Sequence, residues 1–209
     1  MKAVHAMEVG RFATRLGYSA IALALLYGCP LPVTAQDDHS QMLTQQKNNE
    51  MTPDQKRRAS ALLKIVREST ERFQNVSVAE AEGYALQFGC VSGDYSGAMG
   101  LHYVNGDLVG KGVVDATRPQ IVIYEPTPNG RLRLTGADFL VLADAWNANH
   151  KSPPELMGQL FHLFDAPNRF GLPAFYTLHV WAWKDNPNGA FVNWHPNVSC
   201  ESFSGATTP

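Results

Sequence analysis

Residues 120–143 read QIVIYEPTPNGRLRLTGADFLVLA, and this stretch decides the fold class. Two runs rich in β-branched and aromatic residues flank a PTPNG segment, whose Asn129-Gly130 pair is a hairpin signal. In Arg131-Leu132-Arg133-Leu134 polar and apolar residues alternate, the period of a strand with one wet face. The stretch therefore predicts two antiparallel strands joined by a turn, arginines outward and leucines inward.

Working outward, GLHYVN (100–105) and FYTLHVWAW (175–183) share this β-rich composition and are bounded by Gly, Pro, Asn and Asp. Upstream the period changes. Thr52-Pro53-Asp54-Gln55 is a helix start, with a Thr N-cap, Pro in the first turn and Gln where a capping box needs it. Ala59, Leu62, Leu63, Val66 and Phe73 then form a helical stripe. A second capping box, Ser77-Val78-Ala79-Glu80, predicts a shorter helix through Gln87. Residues 153–173 are a Gly/Pro-rich excursion, and the chain after Trp183 is turn-rich up to Cys200. Together these elements predict an α+β fold: N-terminal helices packed on one face of an antiparallel sheet of four or more strands. Residues 52–209 read as one domain.

The first 35 residues have the layout of a bacterial export signal. Lys2, Arg11 and Arg15 precede the apolar run SAIALALLYG, and Val33 and Ala35 stand before Gln36. A membrane anchor is the competing reading, but the run is shorter than the roughly 20 residues a span needs. Leu26-Tyr27-Gly28-Cys29 offers lipidation at Cys29 as a second option, with Tyr27 bulky for a lipobox. The expected localisation is periplasmic or extracellular. Residues 36–51 are polar and aperiodic, a disordered spacer.

Cleavage after Ala35 leaves 14 Lys+Arg against 18 Asp+Glu, a formal charge of −4. No basic face or tail is present, which argues against nucleic acid as a partner, and no membrane span is expected once the leader is gone. The same cleavage leaves Cys90 and Cys200 as an even pair in an oxidising space, so a disulfide is predicted between them.

GAMGLHYVN (97–105), VVDATRPQIVIYEP (113–126), RFGLPAFYTLHVWAWKDNPNGAF (169–191) and NWHPNVSC (193–200) resemble a family of secreted bacterial proteins of unassigned function. The resemblance covers roughly residues 71–200. It implies one compact exported domain and brings no activity or catalytic residue with it.

Two constellations can carry chemistry. His102, Glu125 and His179 each fall in a predicted strand, and two imidazoles with a carboxylate suit a divalent metal, Zn²⁺ or non-haem Fe²⁺. His195 or Tyr103 would then act as acid, base or orienting partner. The plainer alternative makes these histidines hydrogen-bonded, half-buried residues. The second constellation is aromatic: His179, Trp181 and Trp183 alternate on one strand and are expected to share a face, with Trp194 and His195 nearby. With Tyr103 these tryptophans and His195 would line a small-ligand pocket; buried, they are core. No G-x-S-x-G elbow, phosphate loop or dinucleotide fingerprint is present. Glu125 and Asp138 are a carboxylate pair without distinguishing context. Three functions follow as expectations: an exported small-ligand binder, a metal-dependent hydrolase using His102, Glu125 and His179, or an envelope structural or interaction protein.

Overall fold

The hairpin at the centre of the sequence is also the centre of a sheet. The computed structural model describes residues 51–208. The leader expected over 1–35, the lipidation option at Cys29 and all of the expected spacer except Met51 lie outside the described residues. Strands β1 (Tyr84–Gly93), β2 (Gly97–Asn105), β3 (Ile121–Pro126), β4 (Leu132–Leu142), β7 (His162–Phe164), β8 (Phe175–Val180) and β9 (Thr207–Thr208) form one sheet in the order β7-β8-β4-β3-β2-β1-β9. Strands β5 (Glu155–Leu156) and β6 (Gln159–Leu160) pair separately. The expected purely antiparallel sheet is corrected here. β9 lies parallel to β1, so the sheet is mixed, and the correction arises because the chain beyond Cys200 returns to the β1 edge.

The β3–β4 turn is built as its sequence demands. Gly130 takes φ 76°, the Thr127 N–H donates to the Arg131 carbonyl at 2.9 Å, and the Asn129 side chain accepts from the Arg131 N–H. Arg131 and Arg133 are exposed while Leu134 is buried.

Helix α1 (Pro53–Thr70) opens with the full capping box at Thr52 and Gln55. Its buried residues, Ala59, Leu62, Val66 and Thr70, fall on one stripe. Leu62 and Val66 share a core cluster with Phe139 and Val141 of β4 and Leu178 and Val180 of β8. A 3₁₀ turn (Glu71–Gln74) and helix α2 (Val76–Ala81) follow, and Phe73 and Ala79 join Leu101, Val122 and Tyr124 in a second cluster. The second predicted helix is corrected in both its start and its end. Asn75, not Ser77, caps α2 by accepting from the Ser77 N–H, and Gly83 at φ 91° ends it. Tyr84–Gln87, expected as helix, begin β1 instead. Two short helices, α3 (Gly106–Lys111) and α4 (Ala143–Asn147), complete the described elements. No described helix is long and apolar enough to cross a membrane.

Cys90 and Cys200 are bonded across a separation of 110 residues, as expected. Ile121, Ile123, Leu140 and Phe175 of the strands, with Trp181 just past β8, form a third cluster. Two glycines permit close approaches on this sheet. At Gly100 (φ 93°) a Cβ would stand 2.5 Å from the Tyr124 carbonyl oxygen, and at Gly136 one would stand 2.4 Å from that of Val180. Gly100→Ala is therefore expected to lower stability by about 2 kcal/mol or more. A urea midpoint unchanged from the parent would contradict this packing.

Candidate metal centre

Three buried groups meet on the face of the third cluster. His102 (β2), Asp138 (β4) and His179 (β8) each offer a ligand atom, and these atoms all lie within 4.8 Å of one another. Asp138 and His179 are direct partners in the β4–β8 pairing. His102 is three strands from His179, across β3 and β4. In a flat sheet that separation is about 14 Å. The two Nε2 atoms nevertheless stand 3.4 Å apart, because the sheet curls toward this face.

The hydrogen bonds fix one tautomer. His102 Nδ1 lies 3.2 Å from the Gly100 carbonyl, which only accepts, so Nδ1 carries the proton and Nε2 presents a lone pair. His179 Nδ1 is buried without a hydrogen-bond partner among the described residues and stands 3.7 Å from Asp138 Oδ1. Asp138 accepts from the Thr177 hydroxyl. Either an N–H···N hydrogen bond from His179 Nε2 to His102 Nε2 or a cation between two lone pairs accounts for the 3.4 Å approach. Two nitrogens each about 2.05 Å from a tetrahedral zinc stand about 3.3 Å apart, so the imidazole spacing is compatible with a metal chelate as well as with a hydrogen bond. The wider span to Asp138 means its carboxylate must turn inward from Thr177 to complete such a set.

Burial sets the charges. It pushes His102 down to about 4, helped by the neighbouring His179, and His179 down to about 3. It pushes Asp138 up to about 6, against the pull of the Thr177 hydroxyl and of His102. Near neutral pH the site holds neutral imidazoles and a carboxylate, the forms that ligate metals. In metal-free protein the consequence for stability has a definite sign. Between pH 6.5 and about 4 the unfolded histidines take protons that the folded ones refuse, so stability falls as pH falls. Asp138 opposes this between about 6 and 3.8, where the folded carboxyl takes a proton first. Two histidines against one carboxyl leave a net loss of stability as pH falls. Urea titrations of EDTA-treated protein from pH 7 to 4 check this, and a flat profile would contradict it.

Glu125, the carboxylate expected in the metal set, is corrected out of it. It sits near the end of β3, beyond the Ile123 that pairs with His102. There it accepts from Arg133, from Lys184 Nζ at 2.8 Å and from the Ser199 N–H at 3.3 Å. Burial would raise its carboxyl, but the hydrogen bonds and charges of Arg133 and Lys184 hold it below the ordinary value.

The aromatic set is not brought to one place. Strand β8 ends at Val180, the Trp181 N–H donates to the Ala190 carbonyl, and the Trp183 N–H donates to that of Thr135. Trp181 stays near His179 and His195, with ring centroids 6.0 and 4.9 Å away. Trp183 instead joins the α1 side, donating to Thr70 Oγ1 at 2.9 Å with Arg67 over its ring, so it does not share the His179 face. Tyr103 is buried against Tyr124 in the second cluster. Trp194 lies partly exposed beside Arg169. His195 is fully buried, accepts from the Asn197 N–H through Nδ1, and its backbone bridges to Ala98.

The pocket that does contain the metal candidates is walled by Phe88, Met99, Phe164, Phe170, Leu172 and Phe175. None of the expected ligand-binding residues lines it. Asp138 was readable as a carboxylate inside the apolar run TGADFLVL, a position that demands buried partners. The phenylalanine walls come from separate loops and strands, and no local pattern announces them.

No protein-family model, curated protein or solved structure matches this chain.

Proposed function

We propose that this is an exported protein that binds a divalent transition metal through His102, Asp138 and His179 and presents it to a small ligand. The observation that carries the reading is the 3.4 Å approach of two Nε2 atoms in a buried site, one of them held as a lone pair by Gly100. Two histidines and a carboxylate leave coordination positions open, which suits zinc or ferrous iron. The pocket over the cluster gives those positions an apolar approach. In this reading helices α1 and α2 cover one face of the sheet, and the opposite face is left to the site. Export and membership of the secreted family rest on the leader pattern and the quoted blocks; the disulfide and the lack of a spanning helix among the described residues accord with them.

Cobalt titration of EDTA-treated protein tests the metal reading. About one Co²⁺ per chain with a visible d–d band is expected, weakened at least about 100-fold in His102→Ala or His179→Ala. Equal binding in parent and variants would overturn it. The rival, a purely structural protein, has the two imidazoles share a proton in place of a cation; it expects no stoichiometric metal at all.

A further inference from the structure

Three buried side-chain atoms lack a hydrogen-bond partner among the described residues: His179 Nδ1, Asn193 Oδ1 and His195 Nε2. Buried polar atoms are almost always paired, so such atoms mark places where a partner is due. The chemistry of two of them is settled. An amide oxygen can only accept. His195 accepts from the Asn197 N–H through Nδ1, so its proton is on Nε2, and the Asp185 backbone attracts it. His179 Nδ1 is the undecided one, and its state decides what Nε2 of the same ring offers to His102.

The loop carrying Asn193 is seated on Trp181, the neighbour of His179. The Trp181 N–H donates to the Ala190 carbonyl at 2.9 Å, and its indole Nε1 donates to the Val192 carbonyl at 2.6 Å. Beyond Asn193, the Trp194 carbonyl accepts from the Asn186 side chain and the His195 backbone bridges to Ala98. The rings of His179 and Trp181 stand 6.0 Å apart. Asn193 is thus held between anchored neighbours, and its side chain reaches His179, whose proton affinity it raises against the pull of burial.

Asp138 Oδ1 also lies near Nδ1, but at 3.7 Å it is beyond hydrogen-bond reach, and it accepts from Thr177. If that carboxylate is to ligate a metal, another acceptor must hold Nδ1. A metal-bound histidine almost always donates its other N–H to a carboxylate, a carbonyl or water. Asn193 Oδ1 is a buried, unused carbonyl acceptor. Resting on the metal reading above, we propose that Asn193 is the positioning residue of the site: its amide oxygen accepts the His179 Nδ1 proton, which leaves Nε2 of both histidines as lone pairs for the cation. The proton is thereby kept out of the 3.4 Å gap between the two rings, and a hydrogen bond across that gap is excluded.

The tautomer can be read directly in the full chain. In EDTA-treated, nitrogen-15-labelled protein near neutral pH, two-bond proton–nitrogen correlation spectra show which ring nitrogen of His179 carries the proton. His179→Gln identifies the signals. Nδ1–H is expected in the parent. In Asn193→Ala the proton is expected to move to Nε2, where His102 accepts it, and Co²⁺ is expected to bind at least about tenfold more weakly. Asn193→Asp keeps an oxygen in place and is expected to retain Nδ1–H and most of the affinity. An Nε2 proton in the parent would overturn the proposal even if neither variant folds. Nδ1–H persisting in Asn193→Ala would do the same, since Asp138 would then be the acceptor. Co²⁺ bound equally by the parent and Asn193→Ala would overturn the positioning role and leave the metal reading standing. A parent with Nδ1–H that binds no Co²⁺ would defeat the metal reading and leave the Asn193–His179 pair intact.

Discussion

Replacing Cys90 and Cys200 together with alanine is expected to lower the unfolding free energy by about 4–5 kcal/mol. The loop closed by the bridge spans 110 residues, and chain entropy alone assigns a cross-link of that length about 4.7 kcal/mol. The bridge also organises what surrounds it. The Cys90 N–H donates to the Ala206 carbonyl, β9 pairs with Cys90 and Val91, and Thr208 donates to the Phe88 carbonyl. Gly89 lies against the same strap: a Cβ there would stand 1.8 Å from the Ala206 oxygen. Loss of the bridge should thus loosen the Phe88 wall of the pocket as well as the fold. Urea unfolding of parent and double variant, with identical m-values confirming a two-state comparison, measures the first effect. A difference below about 1 kcal/mol would show that the covalent link is dispensable.

Glu125→Ala is the second large effect, with an expected loss of about 3–5 kcal/mol. The carboxylate is buried, and Lys184, mostly buried itself, donates to both of its oxygens and to the Asn197 carbonyl. Removing one partner strands the other charge. The ion group also ties β3 to the segment that follows Asn197, through the Ser199 N–H. Because the cost lies in the stranded ammonium, Glu125→Gln with Lys184→Met is expected to recover most of the loss. A double variant as unstable as the single one would contradict that explanation. The pH dependence has its own sign: the folded Glu125 carboxyl lies below its ordinary value, so its contribution is complete above about 4.5 and disappears as pH falls through the folded value.

The contrast between Glu125 and Asp138 shows where sequence reading succeeds and where it stops. Local chemistry was legible: the Asn129-Gly130 turn, the Thr52–Gln55 capping box and the Cys90–Cys200 pair all appear as their residue types imply. His102 and His179 were legible as partners. Choosing their carboxylate required knowing how far the sheet curls, which depends on approaches at Gly100 and Gly136 that no periodicity encodes. It also required the irregularity that displaces Thr135 between the partners of Ile123 and Tyr124. Trp183 failed for a similar reason. Alternation holds only while the strand lasts, and β8 ends three residues earlier. Strand β1 was hidden because Tyr84–Gln87 read as the end of a helix and Phe88 and Gly89, both at φ 64°, then form a bulge.

X-ray absorption on the metal-loaded protein tests the central claim most directly. The expected result is two imidazole nitrogens and at least one oxygen bound to a single metal, with the imidazole scattering reduced to one ring in His102→Ala and in His179→Ala and the oxygen shell altered in Asp138→Ala. A metal bound by other groups, with its spectrum unchanged by all three substitutions, would contradict the site.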